Sequence, residues 1–251
     1  MGKPFFFGTI VFLIFGIISL FIVFNIREDH LETEKLRAAN LAGVHSALIQ
    51  RSVANALAPV YAVAALVSQG EGVVKGFQPI AIELLKSHPG ASSLSLCPDG
   101  IVREIVPLAG NEAAIGHDLL ADPNRKVAAN YAMKTGRLTL SGPYMLLQGY
   151  FAAIGRLPIF LKTETGENRF WGFVAITIPM SEILSRTGLA DLQTDGYVYQ
   201  LHKVDPLNTQ RSLISSSGDS VLASPVTNTI PLPNVNWILS ISPIDGWGGS
   251  G

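Results

Sequence analysis

The sequence predicts an α+β protein: an N-terminal transmembrane helix, a long stalk helix continuing from it, and lobes built on antiparallel sheet. Three observations predict this. Pro4 to Ile26 carries no charged residue, Leu41 to Val67 repeats apolar residues at three-and-four spacing, and from Ser92 onward short alternating segments are punctuated by Gly, Pro and Asp turns. Of the 251 residues 48% are hydrophobic and 15% charged, enough apolar material for one sizeable core or two small ones.

Residues 1–26 form the expected anchor. At a rise of about 1.5 Å per residue, the run "PFFFGTIVFLIFGIISLFIVFNI" can cross a hydrocarbon core of about 30 Å. A cleavable signal would have a shorter apolar core and a small-x-small site, whereas this run meets "REDHLETEK". The charges on either side are mixed in sign, and the short head is the easier part to leave inside. That places the large portion outside the cytoplasm, in the periplasm or extracellular space beside the inner or plasma membrane.

Residues 27–75 are the expected stalk. Leu41, Val44, Leu48, Val53, Leu57, Val60, Ala64 and Val67 make one apolar seam, fit to pack on a downstream lobe or on the same helix of a second chain in a homodimer. Pro59 predicts a bend or break, and "GEGVVKG" a loop. A helix follows in "PIAIELLKSHPG". "SSLSL" and "IVREIVP" then flank the Asp99–Gly100 turn as a hairpin. In "ADPNRKVAANYAMKTG", Asp122 caps a helix, Pro123 takes its first position, Val127 and Tyr131 share a face, and Gly136 stops it. The remainder reads as short strands around "MSEILSRTG", all on one antiparallel sheet. The division is therefore a lobe over 76–204, a β segment over 205–247 and a linker at 248–251, "GGSG".

The composition excludes several functions. A net charge of −1 gives no footprint for nucleic acid, and a single cysteine excludes a disulfide framework and a Cys-rich zinc site. Cys97, in the alternating "SSLSLCP", reads as a small buried strand residue rather than a reactive thiol. The five histidines lack ligand spacing, so neither metal nor cofactor is expected. No nucleotide-binding, zinc-protease or serine-hydrolase signature is present. His117 and Asp118 are neighbours whose side chains diverge, and Asp118 is expected to satisfy backbone donors in its loop.

An aromatic cluster stands out instead. If "FAAIGRLPIF", "FWGFVAITI" and "GYVYQLHKV" are adjacent strands, their alternate residues converge on one sheet face. Core packing explains any one aromatic. For the group, a pocket with a few placed polar residues is the functional reading. The candidate ligand-binding residues are Tyr144, Gln148, Tyr150, Arg156, Phe160, Trp171, Phe173, Ala175, Thr177, Tyr197 and Tyr199. Arg156 in so apolar a strand must reach solvent, a carboxylate such as Asp118 or Asp195, or a ligand.

The stretch from "IVPLAGNEAAIGHDLLADPNRK" through "LSGPYMLLQGYFAAIGRLPIF", with "FWGFVAITI", "LADLQTDGYVYQLHKVDP" and "NWILSISPIDGW", strongly resembles the CHASE domain, the extracytoplasmic sensory module of bacterial and plant membrane receptors. The likeness runs from about Leu94 to Trp247. It implies a PAS-like sensor with a membrane-distal ligand-holding lobe and a smaller membrane-proximal one. It also implies a second transmembrane helix after Trp247 and a cytoplasmic output: a diguanylate cyclase, phosphodiesterase, histidine kinase or nucleotide cyclase. Plant cytokinin receptors of this family hold an adenine-type ligand through an acidic residue whose place aligns with Pro179, which offers no such contact. The expected function is thus a non-catalytic small-ligand sensor of a signal transducer. The alternatives are an anchored enzyme around Asp118, Arg125 and Arg156, or a dimerising interaction module without a ligand.

Overall fold

The computed structural model describes residues 3–205, 209–218 and 221–248, with side chains from Phe12 onward. The chain opens with α1, Lys3–Leu57, which breaks at Ala58 and resumes as α2, Pro59–Gln69. Pro59 has no N–H to donate and occupies the first turn of α2, where none is required, so the break falls where the sequence expects it.

The expected transmembrane helix over residues 1–26 is corrected. Among the described residues no helix is long and apolar enough to cross a membrane. Residues 1–2, and the side chains of 3–11, lie outside what is described.

After α3, Phe77–Ser87, come β1, Ser93–Pro98, and β2, Glu104–Val106, an antiparallel hairpin. Asp99 and Gly100 carry φ of 55° and 82°, the left-handed pair that such a turn requires. Next is α4, Lys126–Thr135. It begins later than Asp122 and Pro123 predict, because the Asp122 carboxylate accepts from the Asn124 N–H at 2.7 Å in a local turn ahead of the helix. Gly136, at φ 65°, ends the helix as expected. Val127 and Tyr131 do share a face, but an exposed one; Ala129 and Ala132 are the buried pair.

Three long strands complete the first sheet: β3, Thr139–Met145, β4, Phe151–Lys162, and β5, Asn168–Pro179. The spatial order is β2-β1-β5-β4-β3, antiparallel throughout. Two short helices, α5, Met180–Arg186, and α6, Asp191–Thr194, carry the chain to a second sheet made of β6, Tyr197–Val204, β7, Arg211–Ser216, β8, Val226–Leu232, and β9, Val235–Pro243, in the order β7-β6-β9-β8. The expectation of one sheet is therefore corrected to two. The strand with Tyr197 and Tyr199 does not lie beside β5, because its backbone pairs along its length with β9, from Tyr197 opposite Pro243 to Val204 opposite Asn236.

The helical spine explains why both sheets share one core. Alternate residues Leu94 and Leu96, Val174, Ile176 and Ile178, with Ala153 and Ile159, face the buried seam of Leu57, Val60, Ala64 and Val67. Leu201, Trp237, Leu239 and Ile241 of the second sheet join Ala38, Ala42, Ile49 and Val53 of α1 in the same core. Most of the predicted seam is thus spent on the chain's own sheets, while Val44 and Leu48 remain exposed. At Gly155 a Cβ would strike Leu57, so glycine lets the helix break settle on β4. Across the two sheets, the Leu140 N–H donates to the Asn234 Oδ1 at 2.7 Å.

Candidate functional site

The other face of the first sheet is built differently. Strand alternation brings Ser93, Ser95 and Cys97 of β1, Phe173, Ala175 and Thr177 of β5, Ile154 and Arg156 of β4, and Thr139 and Ser141 of β3 to one side. Register aligns them in rows. Ser95 and Arg156 both pair with Ala175, and Arg156 pairs in turn with Thr139. The face is small and polar around one long cation, Ile105 of β2 extends it, and α4 and the segment before it cover it with Val102, Leu119, Ala129 and Ala132 in a separate cluster.

A cavity of about 60 Å³ lies between sheet and cover. Its floor is Ser95, Cys97, Ile105, Ala175, Thr177, Ile154 and Arg156; its cover comes from Val102, Ala114, His117, Leu119 and Arg125 and from the turn Leu146–Gln148. Among the described residues no carboxylate lines it.

Arg156 is fully buried. Its Nη1 donates to the Ser141 Oγ at 2.6 Å, whereas Nε and Nη2 have no partner among the described residues. Burial pushes the guanidinium pKa down; the Tyr144 hydroxyl, the Cys97 thiol and the Asp122 carboxylate oppose that, and the Arg125 charge adds to it. Neither expected acid partner is found: no ion pair joins Arg156 to Asp118, Asp195 or any other described carboxylate. Asp118 instead accepts from the Leu120 and Ala121 N–H groups at 2.9 and 3.0 Å, the turn role the sequence suggested.

Arg125 is the second cation at the cavity. Its guanidinium lies 3.8 Å from the Tyr144 ring centroid, and its Nε is 3.9 Å from the Asp122 carboxylate, which also meets His117 Nε2 at 3.1 Å. Cys97, on the floor, has its thiol pushed up to about 11 by burial, against the lowering effects of the Ser95 bond and Arg156. It is buried and protonated, as its strand pattern implied.

Of the eleven predicted site residues, the structure brings together Gln148, Arg156, Ala175 and Thr177 on the cavity. Gln148 donates to the Asn111 Oδ1 at 3.0 Å, and Thr177 accepts from Ser93 at 2.9 Å. Tyr144 lies behind Arg125 and lines a separate groove of about 480 Å³ between α4, β3 and the second sheet, where Lys203 Nζ is 5.9 Å from its ring. Tyr150 bonds Ser92 at 3.3 Å away from the cavity. Phe160 and Phe173 stack edge-on to Phe170, with centroids at 5.6 and 5.0 Å. Trp171 packs on the opposite face with the spine. Tyr197 and Tyr199 sit in the second sheet, where the Tyr199 hydroxyl bonds Ser215 at 3.2 Å. The Phe, Trp and Tyr residues are thus dispersed, and among the described residues none of them lines the cavity.

Sequence reasoning missed Ser95 and His117 on the cavity and Ser141 as the partner of Arg156, and named Arg125 only in the enzyme alternative. The signal was the run of serines alternating with leucines in β1, a polar face inconsistent with a strand covered on both sides unless something polar is covered there. Among the described residues no group of His, Cys, Asp and Glu is arranged to hold a metal ion.

Comparison with known proteins agrees with this architecture. The CHASE domain model matches residues 99–213, a span that includes the cover, α4 and strands β3 to β6. An extracellular ligand-binding receptor from Desulfohalobium retbaense shares the fold at 14% identity and a TM-score of 0.62, over 82% of this chain and 40% of its own. The sensory domain of the Campylobacter jejuni chemoreceptor Tlp3 does so at 15% identity and a TM-score of 0.54, over 87% of this chain and 97% of its own. No curated protein sequence matches the chain. The chain thus spans less than half the length of the first of these structures, and its residues 99–213 match the CHASE domain model.

Proposed function

We propose that this chain is the extracytoplasmic, small-ligand sensory module of a signal-transduction receptor, and that its ligand occupies the cavity between β1, β5, β4 and the cover of α4. The observation that supports it is the set of buried polar side chains on that cavity, Ser95, Thr177, Arg125 and Arg156, with the half-buried Gln148 beside them, all but Ser95 within the CHASE-matched part of the chain. A covered sheet face is ordinarily apolar, and buried polar groups are retained where they have something to bind. The first sheet is then the ligand-holding lobe and the second the relay toward a cytoplasmic output of the kinds the family carries. The module binds rather than catalyses: Asp118, the acid of the enzyme alternative, is engaged by backbone in a turn.

Signalling requires a ligand that prefers one of two arrangements. Tyr144, between Arg125 of the ligand lobe and Lys203 of the second sheet, is the side chain placed to relay it. A homodimer through the remaining exposed part of α1, at Val44 and Leu48, is the assembly in which such a signal would be read. The test is a thermal-shift screen of small metabolites against the full chain and its Ala175→Met variant, which fills the cavity from the sheet. The reading requires a compound whose stabilisation is lost in the variant. If every stabilising compound acts equally on both proteins, the ligand site is elsewhere.

A further inference from the structure

The two donors that Arg156 leaves open are not an arbitrary pair. Nη1 lies on the same side of the guanidinium as the side-chain stem and is fixed by Ser141 at 2.6 Å, while Nε and Nη2 form the opposite edge and are both without a partner among the described residues. That edge is the planar fork that takes the two oxygens of one carboxylate in parallel. Because Arg156 is fully buried on a cavity that no described carboxylate lines, the described residues supply neither solvent nor an acid to satisfy it.

Charge fixes the ligand further. The Asp122 carboxylate is shared between Arg125 and His117, at 3.9 and 3.1 Å, and makes no ion pair with Arg156, so the Arg156 guanidinium has no carboxylate in contact and calls for a single negative charge. The apolar lining of the cavity is Val102, Ile105, Leu119 and Ile154, which suits an aliphatic tail. A cavity of about 60 Å³ holds roughly four to six water-sized groups. Resting on the proposed ligand cavity, we infer that the ligand is a short aliphatic monocarboxylate, its carboxylate gripped side-on by Nε and Nη2 of Arg156 and its tail against Val102, Ile105, Leu119 and Ile154.

The experiment compares propionate with its uncharged isostere propionamide on the full chain, by thermal shift and calorimetric titration in a carboxylate-free buffer, with sulfate as an anion lacking a tail. Propionate is expected to raise Tm with its concentration, and propionamide and sulfate to do so weakly or not at all. Arg156→Met should weaken propionate binding by about 100-fold or more. Arg156→Lys keeps the charge but not the fork and should weaken it by about 10-fold or more; it serves if the Met variant does not fold. Equal binding of propionamide, unchanged propionate affinity in both variants, or no propionate binding at all overturns the carboxylate assignment. A neutral compound whose effect is lost in Ala175→Met would do so while leaving the cavity as the ligand site, whereas the absence of any such compound, charged or neutral, removes the cavity itself.

Discussion

Replacing Arg156 by Met should stabilise the protein in the absence of ligand, contrary to the usual result of changing a fully buried residue. The variant removes two buried guanidinium donors without partners among the described residues, each costing about 1–3 kcal/mol to keep dry. It forfeits the Nη1 bond to Ser141, whose hydroxyl still donates to the Ile154 carbonyl at 3.3 Å, a loss of about 2 kcal/mol for a bond to a charged group. Methionine retains most of the stem's volume and flexes to fill the remainder. The balance is a gain of about 2 kcal/mol, or about 4–8 °C in Tm for a chain of this size. Calorimetry and urea denaturation in carboxylate-free buffer measure it. A loss of more than about 1 kcal/mol would mean that Arg156 braces the cover through Ser141 and its neighbours, and the argument from its open donors would fail.

Cys97 makes stability depend on alkaline pH. Its folded pKa of about 11 lies above the unfolded 9.0, so the folded state holds the proton longer. Its contribution is complete below pH 9 and is lost as pH rises toward 11, with a slope of up to about 1.4 kcal/mol per unit that Cys97→Ala should abolish; an unchanged slope in the variant refutes the assignment. Gly172→Ala should cost about 3 kcal/mol or prevent folding, because its Cβ would meet the Cys97 carbonyl oxygen and lie 2.7 Å from the Pro98 Cα, both backbone of the neighbouring strand; a urea midpoint unchanged from wild type would show that β1 and β5 are not so closely apposed. Glu at both Val44 and Leu48 should convert a dimer to monomer in sedimentation while leaving the circular dichroism unaltered, since both side chains are exposed. A dimer that survives the double change does not use this face.

Local signals were legible and long-range choices were not. Pro59 marked the helix break, the Asp99–Gly100 pair the first hairpin and Gly136 the end of α4, because each depends on a backbone conformation that one or two residues dictate. The partner of β6 depends on whether α5 and α6 return the chain to β5 or carry it past, and nothing in "GYVYQLHKV" encodes that, so Tyr197 and Tyr199 were assigned to the wrong sheet. The site was half legible for the same reason. Arg156 and Thr177 announce themselves as polar residues in apolar strands, but Arg125 and Ser141 meet them only through the fold. Aromatic content misled, since Phe160, Phe170 and Phe173 satisfy one another in edge-on packing. The apolar start of the chain also read as a membrane span, which the described residues do not support.

Isoleucine methyl resonances test the central claim most directly, because the side chains divide by sheet face. Ile105 and Ile154 lie on the proposed cavity, Ile176 and Ile178 pack against the spine on the reverse of the same sheet, and Ile230 and Ile241 belong to the second sheet. On titrating the methyl-labelled full chain with propionate, the Ile105 and Ile154 signals should move together and saturate at one affinity, with those of Ile176 and Ile178 nearly still. Saturable shifts confined to Ile230 and Ile241, or no shift at Ile105 and Ile154, would contradict a carboxylate site between the first sheet and α4.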